Sequence, residues 1–94
     1  MKVRINVTQD DIDTGKPLKA DDCAVQRGIR RMCPEIAVVF VGRRDVTFHK
    51  SYETIGVSRK LPPEATELIR MLDSKKGVPQ PIEFDLDIPE FDDV

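Results

Sequence analysis

The sequence predicts a small α+β domain in which an antiparallel sheet carries two helices on one face. Two segments with alternating apolar residues open and close the chain, at residues 2–7 and 81–90. Between them lie two segments with helical periodicity, one apolar run at residues 36–41 and a further alternating segment at residues 45–49. The resulting order, β-α-β-β-α-β, favours a ferredoxin-like arrangement as the specific fold.

The chain begins with a strand and a short helical turn. KVRINV alternates apolar and polar residues, which is typical of a half-buried strand. In the TQDDIDTG segment, Thr8 is expected to cap a turn of helix, with Asp11 as its capping-box partner and Gly15 at the end. Ile12 is expected to point inward.

A longer helix is predicted after residue 20. Asp21 or Asp22 is expected to cap it, and Pro34 to terminate it. Gly28 would permit close approach to the sheet, at a cost in helix propensity of about 1 kcal/mol relative to alanine. The buried stripe is expected at Val25, Ile29 and Met32.

The sequence predicts strands in the middle of the chain. IAVVFV, residues 36–41, is apolar on both faces and is expected to be a central strand. A turn at residues 42–45 leads into DVTFH, and a further strand or extended loop is expected around Thr54–Val57. The side chains of Phe40, Phe48 and Phe84 are all expected in the core.

The last third predicts one helix and one strand. LPPEATELIRMLDSKKG places prolines at the start of a helix, apolar residues at helical spacing and Gly77 as the cap. PIEFDLDIPE alternates again, with its acids outward. In a ferredoxin-like fold this strand lies beside the first, so Lys2 and Arg4 would neutralise its acids.

Composition bounds the class of protein. The 94 residues suit one domain, taken as residues 1–90, followed by an acidic tail at residues 91–94. Six of the 17 acids lie from residue 83 onward, so the first 82 residues carry 15 bases against 11 acids. No segment has the roughly 20 apolar residues that a membrane span needs. We expect a soluble, cytoplasmic protein without a membrane partner.

Catalytic and metal-binding residues are sparse. On one helix, Cys23 and Cys33 would lie about 15 Å apart, too far for a disulfide or a shared metal. Cys23 is expected in the first turn of a helix, where the helix dipole lowers the pKa of a thiol, so a reactive thiol is an alternative interpretation of this residue. His49 is the single histidine. Phosphate-loop, dinucleotide and EF-hand motifs do not occur. We therefore predict a non-enzymatic protein without a cofactor or metal.

Five arginines are the candidate binding residues. Three lie in the helix predicted after residue 20 and two in the turn at residues 42–45, so together they can form one basic patch. Single-strand binders also expose aromatic rings, and here the phenylalanines are expected inside. Nucleic-acid binding is therefore the alternative and protein binding the leading hypothesis. The five are Arg27, Arg30, Arg31, Arg43 and Arg44.

The pattern I-x-V-T-x-x-D-I-x-x-G, the helix opening CAVQRGIRR, LPPEATELIRMLD and the closing PIEFDLDIPE together resemble a family of small uncharacterised bacteriophage and prophage proteins. Their first helix often opens with a C-x-x-C-P-x-A-like stretch. Cys23 matches the second cysteine, whereas Ala20 and Ala24 replace the first cysteine and the proline. The resemblance implies a phage or mobile-element origin and no particular activity.

These observations predict a small accessory protein that binds a host or phage macromolecule. An inhibitor of a host defence system is one concrete form, acting in the host cytoplasm. An exposed strand edge around Thr54–Val57 also raises the alternative of a homodimer.

Overall fold

The described part of the chain forms eight helices and strands. The computed structural model describes residues 1–16, 19, 21–51, 53 and 55–90. The predicted acidic tail, at residues 91–94, lies outside these described residues. The elements are β1 (Lys2–Val7), α1 (Gln9–Thr14), α2 (Ala24–Met32), β2 (Val38–Val41), β3 (Asp45–His49), β4 (Val57–Lys60), α3 (Pro63–Ser74) and β5 (Ile82–Asp87).

The described strands form two separate antiparallel sheets, β1–β5 and β2–β3–β4. The α+β class is therefore confirmed, whereas the ferredoxin-like arrangement in one sheet is not shown. The apolar run at residues 36–41 was expected to be a central strand, and this is wrong. Its residues form the edge strand β2, and β3 lies at the centre. One hydrophobic core nevertheless joins residues from both sheets and from α2 and α3.

The pairing of the first and last strands is as predicted. Arg4 lies opposite Asp85 in the β1–β5 register. Its guanidinium contacts Asp85 Oδ1 at 3.2 Å and Glu83 Oε2 at 3.3 Å. The Met1 ammonium lies 3.2 Å from Asp87 Oδ1. The acidic strand therefore has charge partners within the fold.

The capping prediction is confirmed for α1 and corrected for α2. Thr8 and Asp11 form a reciprocal capping box at α1. The N-cap of α2 is Cys23, whose Sγ accepts from Gln26 N, rather than Asp21 or Asp22. A sulfur acceptor replaces the usual oxygen because Cys23 itself has the extended backbone of a cap.

Two expectations about helix ends are wrong. Met32 was expected in the buried stripe but is 45% exposed. The backbone leaves helical geometry at Cys33, which takes the buried place instead. The C-cap of α3 is Lys75, in the left-handed conformation with φ 56°, rather than Gly77. The helix ends at Ser74, before the glycine is reached.

The predicted strand around Thr54–Val57 is displaced. Thr54 lies outside the described residues, and β4 begins at Val57. β4 is an edge strand, in keeping with the expected free edge, and homodimer formation stays a prediction. Within the described residues, no helix has the length and apolar character needed to cross a bilayer.

Candidate functional site

Helix α2 lies between the free edges of β1 and β2. Gly28 permits this approach, because a Cβ there would lie 2.8 Å from the Asn6 carbonyl oxygen of β1. On the other side, Gln26 Nε2 donates to the Val39 carbonyl at 3.2 Å. Arg30 Nη1 donates to the Ala37 carbonyl at 3.1 Å. Helix α2 therefore contacts both sheets and bonds to the backbone carbonyls of Ala37 and Val39.

Arg31 joins α2 to α1 and β1. It forms an ion pair with Asp11, whose side chain is only 3% exposed, and donates to the Asn6 carbonyl. The other Asp11 oxygen accepts from Thr8 N at 2.9 Å. Burial alone would raise the pKa of Asp11, but the hydrogen bonds from Arg31 and Thr8 outweigh burial and lower the pKa. Arg31 therefore serves the fold.

Arg27 is also engaged within the molecule. Its Nε and Nη2 contact Asp22 Oδ1 at 3.0 and 2.9 Å, and its Nη1 donates to Thr14 Oγ1 at 2.8 Å. Since Arg30 bonds the Ala37 carbonyl, all three helix arginines hold neighbouring segments. Three of the five arginines in the predicted basic patch are therefore already bonded to other parts of the protein.

Arg43 and Arg44 differ from the helix arginines. They lie in the turn between β2 and β3, which is closed by Gly42 N donating to Asp45 O at 2.7 Å. Both side chains are exposed, and their guanidinium groups have no hydrogen bond or ion pair to any described residue. These two arginines are free to contact a partner without loss of an internal bond.

The turn arginines line a groove of about 1060 Å³, here called the α3 groove. Its strand wall also contains Lys60. Its helix wall belongs to α3, where Arg70 and Glu67 pair at 2.5 Å. Leu61 and Ile69 supply apolar surface at the floor. The lining is Arg43, Arg44, Asp45, Lys60, Leu61, Pro63, Thr66, Glu67, Ile69, Arg70, Asp73 and Ser74.

A second groove, of about 550 Å³, lies between α2 and β2 and is here called the α2 groove. Its lining includes the three helix arginines, Gln26 and Phe40. Phe40 was expected in the core, and this is wrong: it is 39% exposed. It shares a strand face with Val38, whereas Val39 and Val41 face the core. The lining is Asp10, Asp11, Asp21, Asp22, Gln26, Arg27, Arg30, Arg31 and residues 37–40.

The remaining candidate residues form no site together. Cys23 and Cys33 are buried free thiols. Burial raises the pKa of both thiols, and the charges of Asp73 near Cys23 and Glu35 near Cys33 act in the same direction. His49 contacts Phe40 edge-on, with ring centroids 5.9 Å apart. Across the described residues, no cluster of three or more His, Cys, Asp or Glu side chains has an arrangement suited to a metal.

Two features of the α2 groove were not predicted from the sequence: the exposure of Phe40 and the hydrogen bond from Gln26 to the Val39 carbonyl of β2. An apolar run that reads the same on both faces does not reveal which face is covered. Gln26 stands next to the stripe of α2, and that position is the one sequence signal pointing to a buried polar contact.

Comparisons with protein-family models, with curated proteins and with solved structures find no match to this chain.

Proposed function

We propose that this protein is a non-enzymatic binding protein that holds an acidic segment of a partner protein in the α3 groove. The observation that carries the proposal is the pair Arg43 and Arg44, exposed at the wall of that groove with no partner among the described residues. A guanidinium pairs with a carboxylate through two parallel hydrogen bonds, so two free arginines favour an acidic ligand.

The distinction between free and engaged arginines favours the α3 groove over the α2 groove as the binding surface. A ligand that recruits Arg27 or Arg31 must compete with the bonds to Asp22 and Asp11. A ligand that recruits Arg43 displaces only water. A partner that binds at the turn therefore breaks no ion pair or hydrogen bond to any described residue, so none of the binding free energy is lost in this way.

The size and lining of the α3 groove favour a polypeptide segment. Pockets for small molecules measure about 300–1,000 Å³, and this groove of about 1060 Å³ is open and slightly larger. Leu61 and Ile69, each 7% exposed, add some apolar surface to a lining that has four cationic and three acidic side chains. A segment that alternates acidic and apolar side chains would match both features.

Inhibition of a host defence system is one form of this proposal, in which the bound segment belongs to a host protein. The resemblance to phage proteins motivates this form. Binding that closes a host active site or blocks an assembly surface needs no chemistry from the inhibitor.

The proposal is tested by affinity capture from lysate of a plausible bacterial host, with nuclease treatment. The double variant Arg43→Ala/Arg44→Ala is compared with the control Lys75→Ala/Lys76→Ala, which removes two charges at the end of α3. We expect a protein that survives nuclease and is lost with the arginine variant alone. Capture that is equal with both variants would contradict the role of the turn.

Nucleic-acid binding through the arginines is the second candidate. One observation favours it: Phe40 is exposed beside the arginines of α2, so the chain has a ring on which a base can stack. Recovery of nucleic acid alone in the capture experiment, sensitive to nuclease, would support this candidate over the first.

A further inference from the structure

We propose that the α2 groove binds a nucleobase that bears an exocyclic amino group, with Phe40 as the stacking surface and Gln26 Oε1 as the hydrogen-bond acceptor. This inference does not depend on the α3 groove, because the two grooves share no lining residue. It concerns the chemistry of the ligand, which a free nucleoside or a single-stranded nucleic acid can each supply.

Gln26 is the residue of this groove whose side chain is buried and held in place by the fold. The residue is only 4% exposed, and its Nε2 is fixed by the bond to the Val39 carbonyl. Its Oε1 accepts no hydrogen bond from a described residue. Among the described residues, Arg59 Nε is the one buried side-chain nitrogen or oxygen without a hydrogen bond, and it pairs with Asp87 at 3.3 Å. Gln26 Oε1 also has no hydrogen bond from this part of the chain, so it is not fully enclosed. Gln26 lines the α2 groove, and we infer that its Oε1 faces this groove.

A fixed amide oxygen selects for a donor. Adenine and cytosine carry an amino group that donates a hydrogen bond, whereas uracil and hypoxanthine carry a carbonyl oxygen at the same position and donate only from the adjacent ring nitrogen. Since the bond to Val39 holds the amide, the oxygen cannot be exchanged for the amino group by rotation without loss of that bond. The site therefore favours a base with an exocyclic amino group, which is adenine, cytosine or guanine, over uracil or hypoxanthine.

Phe40 provides the stacking surface. Its ring lines the same groove and is exposed, and the contact with His49 is edge-on, with an interplanar angle of 80°. Rings prefer offset-stacked or edge-to-face contacts, so a base beside Phe40 would complete a small aromatic cluster. Stacking of this kind tolerates any base, and the selection comes from Gln26.

The charges of the groove favour a neutral base and sugar. Arg27 and Arg31 are neutralised by Asp22 and Asp11. Arg30 retains unused guanidinium donors, since its one hydrogen bond is Nη1 to the Ala37 carbonyl. The exposed carboxylates of two further aspartates, Asp10 and Asp21, oppose a polyphosphate. A volume of about 550 Å³ accommodates a nucleoside.

The test is a titration of the purified chain followed by calorimetry and by ¹H–¹⁵N NMR spectra. The probes are adenosine, inosine and a six-residue oligoadenylate. We expect adenosine to shift the signals of Gln26, Arg30 and Phe40, and to bind about fivefold more tightly than inosine, the worth of one hydrogen bond. This comparison changes the ligand and leaves buried Gln26 intact.

Variants then test the stacking surface. Phe40→Ala should weaken adenosine binding about tenfold, the worth of one stacked base, while Phe40→Tyr should retain it. The control Arg43→Ala/Arg44→Ala should bind adenosine unchanged. Tighter binding of the oligonucleotide through the same signals would identify a strand as the source of the base, and tighter binding of adenosine a free nucleoside.

Three results would overturn the inference: no shifts in the groove at millimolar adenosine, equal affinity for adenosine and inosine, or an affinity insensitive to Phe40→Ala. None of these depends on the partner protein, so failure here leaves the proposal for the α3 groove intact. Conversely, a negative result in the affinity capture experiment would not affect the outcome of the adenosine titration.

Discussion

Removal of the Asp11 carboxylate should destabilise the protein more than any other single change at an acid of α1. Asp11→Ala removes both the cap bond to Thr8 N and the ion pair with Arg31. The cap contributes about 1 kcal/mol, and the charge-assisted bond about 1.5–3 kcal/mol. Because the Arg31 side chain is 46% exposed, water recovers part of the second term. We expect a loss of about 2 kcal/mol in the free energy of unfolding.

For a chain of this length, that loss lowers Tm by about 10 °C, given about 2.1 cal/mol/K of unfolding entropy per residue. The assay is thermal and urea unfolding followed by circular dichroism. The control is Asp13→Ala, which removes one exposed bond to Gln9 on the same helix and should change stability by less than about 0.5 kcal/mol. Equal effects of the two variants would refute the structural role of Asp11.

The same residue predicts a pH dependence. Because the pKa of Asp11 is lower in the folded than in the unfolded protein, its stabilisation is complete above the unfolded pKa, about 3.9. It is lost as pH falls through the folded pKa. The difference in unfolding free energy between wild type and Asp11→Ala should therefore be constant near neutral pH and shrink below about pH 4. A difference that grows on acidification would show the opposite sign of linkage.

Three further predictions concern packing, thiols and arginines. Gly28→Ala should destabilise by about 1–3 kcal/mol in urea unfolding despite its better helix propensity, because the added Cβ meets the Asn6 carbonyl oxygen; a more stable variant would contradict that contact. Cys23 and Cys33 should react with an aromatic disulfide reagent only on unfolding, since both are buried with raised pKa values, and fast native labelling would exclude this. Arg27→Ala should cost about 1 kcal/mol by the same unfolding assay, as its partner is half-buried, and an unchanged Tm would show that the pair contributes nothing.

The sites of the two proposals were only partly predictable. The five arginines were identifiable as cations from the sequence, but which of them are engaged depends on distant partners. Arg31 meets Asp11, 20 positions away, and Arg27 meets Thr14. Arg43 has no such partner among the described residues. Chain separation hides these contacts from any local pattern.

What the sequence by itself determined is local. Alternation placed β1 and β5 with their apolar faces inward, the Thr8–Asp11 pair started α1, and the stripe at Val25 and Ile29 oriented α2. Each depends on residues within one or two turns of the chain, where backbone geometry sets the period. The pairing of opposite charges across β1 and β5 was expected only from a ferredoxin-like topology, which places these two strands side by side.

Tertiary structure decided the rest. The described strands form two sheets rather than one. Helix α2 contacts both, with Gly28 against the Asn6 carbonyl of β1 and Gln26 bonded to the Val39 carbonyl of β2. The same placement creates the α2 groove and leaves Phe40 at its border. Long-range packing, which no period encodes, thus determines both which edge is covered and which side chains stay open to a ligand.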